Sequence, residues 1–114
     1  MENRNNNALI QTLLDCALAC EYCASSCLQE DDVKMMADCI KLDRDCSDIC
    51  MLAARLLQRD SNIARQYLLL CEEICRACAA ECAKHEHEHC KQCAEACQKC
   101  AEACHANHGD IQQD

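Results

Sequence analysis

Sixteen of the 114 residues are cysteine, and their spacing is regular. In "CEEICRACAAEC", residues 71–82, Cys71, Cys75, Cys78 and Cys82 recur in steps of four, three and four. Seven Cys-x-x-x-Cys pairs occur along the chain: Cys16/Cys20, Cys23/Cys27, Cys46/Cys50, Cys71/Cys75, Cys78/Cys82, Cys93/Cys97 and Cys100/Cys104. Helical residues four apart share a face, with Cβ atoms about 5–6 Å from each other. Each pair can therefore clamp one ion between two sulfurs. Thiolates are soft ligands, and soft sulfur sites select Cu(I), Zn(II) or iron–sulfur clusters.

Two readings without a metal fare worse. A lone buried cysteine is a small hydrophobe, but packing alone would fill these positions with Ala, Leu or Val. Cysteine is a poorer helix former than Ala or Leu and is easily oxidised. Disulfides fail on geometry, since they want Cβ atoms roughly 3.5–4.5 Å apart and helical neighbours sit farther away.

Spacing also ranks the metals. Zinc and iron–sulfur ligands usually lie in loops, where Cys-x-x-Cys turns bend around the ion. Here the Cys-x-x-Cys pairs (Cys20/Cys23, Cys75/Cys78, Cys90/Cys93 and Cys97/Cys100) fall inside continuous stripes, and no ferredoxin-type run ending in Cys-Pro is present. Cu(I), content with two or three thiolates, comes first and Zn(II) second. A buried set of thiolates is prohibitively repulsive without cations. One Cu(I) per thiolate neutralises it, the empty thiols stay protonated, and loading releases protons.

Four helices must position these residues. Apolar and cysteine positions repeat with a helical period over about residues 7–29, 32–58, 62–84 and 86–106. The first stripe is Leu9, Leu13, Cys16, Cys20, Cys23 and Cys27, and the second holds Met36, Cys39, Cys46 and Cys50, with Asp43 in the slot between Cys39 and Cys46. The fourth carries Cys90, Cys93, Cys97, Cys100 and Cys104. Asp31 or Asp32 and Asp60 or Ser61 are N-cap candidates. Gly109 and "DIQQD" read as a helix stop and tail. With one glycine, no proline and two aromatics, strands and tight turns are disfavoured. The expectation is an all-α chain, one domain over residues 1–114, folded as an antiparallel up-down four-helix bundle with a Cys-lined core.

Such a bundle has two unlike ends. One gathers Leu9, Leu13, Leu56, Leu57, Ile63, Tyr67 and Leu68, an apolar plug. The other gathers Cys27, Met35, Met36, Cys39, Cys82, His85, His87, His89 and Cys90, and is the expected mouth. His85 and His89 fall in register with Cys82 and Cys93 and can face inward, whereas His87 points to solvent. The bland alternative for "HEHEH" is an exposed polar turn. Met35 and Met36 are either core filler or thioether ligands. Asp43 is either an ion-pair partner of Lys41, Arg44 or another helix, or an oxygen ligand among cations. His105 reads as surface, and His108, one turn beyond Cys104, can cap the plugged end.

Other function classes recede. A net charge of -9 opposes nucleic-acid binding. No apolar run reaches membrane-spanning length, and "MENRNNNALIQ" has neither a signal-peptide core nor twin arginines, so a cytoplasmic location is expected. No cysteine is set apart by a distinctive partner, so no catalytic residue is assigned. Leu18, Ile40, Leu70 and Ile74 are expected to face outward and to favour self-association.

The segments "CALACEYCASSC", "CIKLDRDCSDIC", "CEEICRACAAEC" and "KHEHEHCKQCAEACQKCAEAC" together resemble the cytosolic branch of the four-helix bundle copper storage proteins. The resemblance spans Cys16 to Cys104. It implies a tetramer of bundles, each holding many Cu(I) ions on cysteines, with His and Met near the open end. The competing readings are a zinc or cadmium buffer and, from another class, a redox protein: an iron–sulfur carrier or a thiol oxidoreductase using Cys90 and Cys93.

Overall fold

Helix α1 spans Glu2–Cys27, α2 Ala37–Gln58, α3 Ala64–Cys82 and α4 Glu88–His108, with a 3-10 turn at Val33–Met36 before α2. This computed structural model describes the backbone of residues 2–108 and the side chains of residues 6–108. The expected stop at Gly109 lies outside the described residues. Helix α1 packs on α2 and α4, and α3 packs on the same two. The short connections make consecutive helices antiparallel, giving an all-α up-down bundle. Its longest dimension is 48 Å, and α1 alone, at 1.5 Å per residue, is roughly 39 Å long. The helices thus run most of the particle's length, and one inner channel of side chains runs with them.

The helix limits differ from the sequence expectation in an instructive way. Helix α1 starts before residue 7, because the asparagine-rich segment contains no breaker. Helix α2 starts at Ala37 rather than near residue 32, since the 3-10 turn comes first. That turn sends Met36 fully inside and leaves Met35 75% exposed. Neither Asp32 nor Asp31 caps α2; its N-cap position is Met36, without a side-chain cap bond. The Asp32 carboxylate instead accepts a hydrogen bond from His87 Nε2 at 3.2 Å. Helix α3 has Ile63 at its N-cap position, while Ser61 Oγ accepts from the Ile63 N–H at 3.4 Å. Asp60 takes a left-handed conformation (φ 52°) that turns the chain between α2 and α3.

All sixteen cysteines have no solvent exposure. At one end of the channel Leu9, Leu13, Leu56, Leu57, Ala64 and Leu68 are buried and close it. Ile63, expected in this plug, is exposed because it sits ahead of the first turn of α3. Two of the four residues expected to face outward do not: Ile40 and Ile74 lean against the core. Leu18 and Leu70 are exposed, and Tyr22 joins Leu18 one turn along α1.

Candidate metal centre

Because the stripes face one another, sulfur meets sulfur across helices as well as along them. Within single helices, Cys23/Cys27, Cys46/Cys50, Cys78/Cys82 and Cys93/Cys97 bring Sγ atoms to 3.9 Å. Between helices, Cys39 and Cys82 approach to 3.4 Å, Cys20 and Cys97 to 3.5 Å, and Cys50 and Cys75 to 3.5 Å. Cys50 also lies 3.6 Å from Cys71, and Cys46 lies 3.7 Å from Cys75. All sixteen are free thiols.

These contacts resolve into quartets whose ligand atoms lie within 4.8 Å of one another, among them Cys50/Cys71/Cys75/Cys100, Cys16/Cys46/Cys50/Cys75, Cys16/Cys20/Cys46/Cys97 and Cys20/Cys78/Cys93/Cys97. Each quartet shares members with the next. A structural zinc site takes four ligands around each ion. Shared sulfurs suit ions that need few ligands each and accept bridging thiolates, which is the behaviour of Cu(I).

At the mouth, Cys23, Cys27, Cys39 and Cys90 form a further quartet. Over it sits His89, whose Nδ1 lies 3.5 Å from Cys23 Sγ, 3.6 Å from Cys90 Sγ and 4.0 Å from Cys27 Sγ. Its Nε2–H donates to Glu30 at 2.8 Å. A carboxylate on the far nitrogen fixes the tautomer and makes the near one a better ligand. Burial holds the Cys90 thiol up at about 11, with the charge of Cys39 adding to it. Burial likewise raises Cys27, helped by Cys39 and Cys90. Both thiols are therefore protonated until a cation displaces the proton.

His85 goes elsewhere: its Nε2 donates to Glu81 at 3.0 Å. Among the described residues, no thiol lies within hydrogen-bond distance of its ring. His87 stacks on His89 with ring centroids 5.3 Å apart and pairs with Asp32 and Glu30 at the rim. Glu30, Glu81 and Asp32 give the mouth an acidic edge around three imidazoles, an arrangement that attracts cations.

Asp43 has no exposure, and its immediate partners are thiols. Its Oδ1 accepts from Cys78 at 3.1 Å, Cys93 at 3.3 Å and Cys82 at 3.4 Å, and Oδ2 from Cys39 at 3.7 Å. Burial, reinforced by repulsion from Cys93 and Cys78, pushes its carboxyl up to about 10. In the metal-free bundle Asp43 is a neutral acid.

The closed end holds a second polar cluster. His108 is fully buried, and its Nε2–H donates to Glu72 in a short hydrogen bond. Glu72 also accepts from His105 Nδ1 at 3.2 Å and pairs with Arg76 at 2.7 Å. Burial opposes ionisation of Glu72, but the bonds from His108, Arg76 and His105 win and hold its carboxyl below the usual range. Glu30, Glu81 and Glu72, the three carboxylates that orient imidazoles, escaped the sequence reading. Glu81 stands four residues before His85 and was available as a helical pair. Glu30 and Glu72 meet His89 and His108 across the fold.

A family model described as "Copper storage protein" matches residues 2–109. The chain belongs to the copper storage protein family. Its resemblance to individual copper storage proteins extends through the bundle. The Cu(I)-bound copper storage protein BsCsp3 is 44% identical, with a TM-score of 0.87 over 90% of this chain and 97% of that one. A cytosolic copper storage protein from Streptomyces lividans, described with five coppers, is 40% identical, with a TM-score of 0.89 over 95% of each chain. The cysteine-rich protein YhjQ of Bacillus subtilis (strain 168) is 45% identical over 84 residues, 74% of this chain and 78% of that protein. Among the described residues, no helix is long and apolar enough to cross a membrane.

Proposed function

We propose that this member of the family stores and buffers Cu(I) in the cytoplasm, holding many ions per chain on its sixteen cysteine thiolates, without catalysing a reaction. The observation that carries the reading is the overlap of the buried thiol quartets, in which Cys16, Cys20, Cys46, Cys50, Cys75 and Cys97 each belong to at least two. A zinc or cadmium buffer, at four thiolates around each ion, would hold fewer ions on the same cysteines. A redox protein would need one cysteine pair set apart, and Cys90 and Cys93 are two members of a continuous network. The single domain proposed for residues 1–114 exposes Leu18, Tyr22 and Leu70, apolar residues suited to self-association into a homotetramer.

Copper enters at the acidic mouth and meets His89 Nδ1 first. His85, its Nε2 held by Glu81, is the second proposed nitrogen ligand there, and the buried Met36 offers a thioether just inside. From the Cys23/Cys27/Cys39/Cys90 quartet the ion passes inward by exchange, one sulfur associating before another leaves. Each transfer is short: Cys39 lies 3.4 Å from Cys82 and Cys82 3.9 Å from Cys78, and Cys78 shares a quartet within 4.8 Å with Cys20, Cys93 and Cys97. Asp43 stands where the mouth quartet gives way to the inner ones, and we assign it as an oxygen ligand or counter-charge once copper has replaced the thiol protons around it.

Anaerobic titration of the reduced protein with Cu(I) against a competing chelator tests the reading. Uptake should approach one ion per cysteine, and each ion should release about one proton to the buffer. Saturation at only a few ions would overturn it, as would tighter binding of four Zn(II) per chain.

The mouth has its own test. Replacing His89 with Ala should slow both loading and chelator removal by roughly tenfold or more, since loss of a group that merely supports a metal ligand already costs about that. Total capacity should change little. Stopped-flow rates equal to wild type would remove His89 from the entry route.

A further inference from the structure

The closed end carries a nitrogen that the bundle leaves without a partner. His108 is fully buried, its Nε2–H is committed to Glu72, and among the described residues Nδ1 has no hydrogen-bond partner. A buried polar atom left without a partner costs the folded state the solvation it has given up. A surface cap needs no such arrangement, because an imidazole turned to solvent would satisfy both nitrogens with water.

Glu72, itself held ionised by Arg76 and His105, accepts the hydrogen bond from Nε2–H and so fixes the tautomer that keeps a lone pair on Nδ1. This is the carboxylate–imidazole arrangement that orients a metal ligand and raises its basicity. It is the same arrangement that Glu30 gives His89 at the mouth. Helical side chains lean back toward the N-terminus, so the ring of His108 lies over the turn that bears Cys104. Cys104 in turn interacts with Cys71 and Cys100 at the end of the thiol network. Nitrogen and sulfur bonds to a metal of about 2.0 and 2.3 Å put two ligands roughly 4 Å apart across an ion. That separation exceeds a hydrogen bond, so an unbonded Nδ1 is compatible with a two-ligand site.

We propose that His108 Nδ1 and Cys104 Sγ form a terminal Cu(I) site at the closed end, the last station of the thiolate chain. It rests on the storage reading above. Binding exchanges the Cys104 thiol proton, which leaves to solvent, for one Cu(I). Nδ1 donates its lone pair and the Nε2 proton stays on the ring, still donated to Glu72, so the charge of the site is the same before and after. The ion arrives from the inner thiols, because Leu9, Leu13 and Leu68 close this end to solvent.

The test uses the full chain labelled with 15N-histidine and filled anaerobically with Cu(I). The His108 Nδ1 resonance should leave the free-imine position as the final equivalents bind, while the Nε2–H resonance keeps its hydrogen-bonded position. In parallel, His108→Asn should retain one equivalent fewer than wild type against the chelator, with loading rates at the mouth unchanged. An Nδ1 resonance still at the free-imine position in fully loaded wild type would overturn the closed-end site while leaving storage intact. Saturation of wild type after a few ions would sink both. The wild-type spectrum decides the matter even if the variant fails to fold.

Discussion

Filled with Cu(I), the protein should stay folded at temperatures and urea concentrations that unfold the empty chain. A ligand held at about a hundredfold above its dissociation constant adds about 2.7 kcal/mol per site. A handful of such sites already matches the roughly 5–15 kcal/mol that stabilises an ordinary small domain. The bundle aligns its thiols within 3.4–4.0 Å before any ion arrives, an order the unfolded chain lacks, so binding favours the folded form. Unfolded cysteines also bind copper, which trims the gain. The sign with pH follows from the thiols at the mouth. Cys90, held up at about 11, must give up its proton to bind, so the added stability shrinks as pH falls and protons compete. Circular dichroism melts of empty and filled protein, run anaerobically at several pH values, check both statements. Equal midpoints for the two forms would mean that the folded bundle holds copper no better than the loose chain.

Much of this arrangement was legible before any coordinates. The steps of four, three and four at Cys71, Cys75, Cys78 and Cys82 are a helical core pattern, and a period that regular leaves one place for the thiols. What periodicity cannot carry is the path of the chain between helices. Asp32 looked like a helix cap, but it sits across a loop from His87 and bonds to that imidazole instead. His85 and His89 had equal standing in register, yet His85 precedes the first residue of α4 and turns to Glu81, whereas His89 lies in the first turn and faces Cys23 and Cys90. Ile40 and Ile74 appeared outward on a helical wheel because the buried stripe is wider than the cysteines alone. Glu30 and Glu72 were invisible as a class, since a carboxylate that orients an imidazole from another segment has no local spacing to betray it.

Asp43 is where the sequence reading stood undecided between an ion pair and a metal ligand, and the surrounding thiols make it a sharp test of what the bundle is for. Its carboxyl has an ordinary value of 3.8 and is raised to about 10 in the empty bundle. A group whose folded value is raised contributes its full stability only below the unfolded value, and that contribution is lost as pH climbs toward the folded one. At pH 7 the folded chain keeps a proton that the unfolded chain has released, at about 1.4 kcal/mol per pH unit above 3.8, or about 4 kcal/mol. Asp43→Asn removes this penalty. The empty variant should therefore be more stable than wild type at pH 7, by up to about 4 kcal/mol less what the amide N–H groups lose against poor sulfur acceptors. The gap should narrow as pH falls toward 4, and urea unfolding of the two proteins between pH 4 and 7 reads it directly. A gap that does not change with pH would place an ionised carboxylate in the empty core. In the filled protein the sign should reverse. Copper replaces the protons of Cys78, Cys82 and Cys93, cations then surround Oδ1, and the ionised form is favoured. The same substitution should therefore weaken copper retention while it strengthens the empty fold.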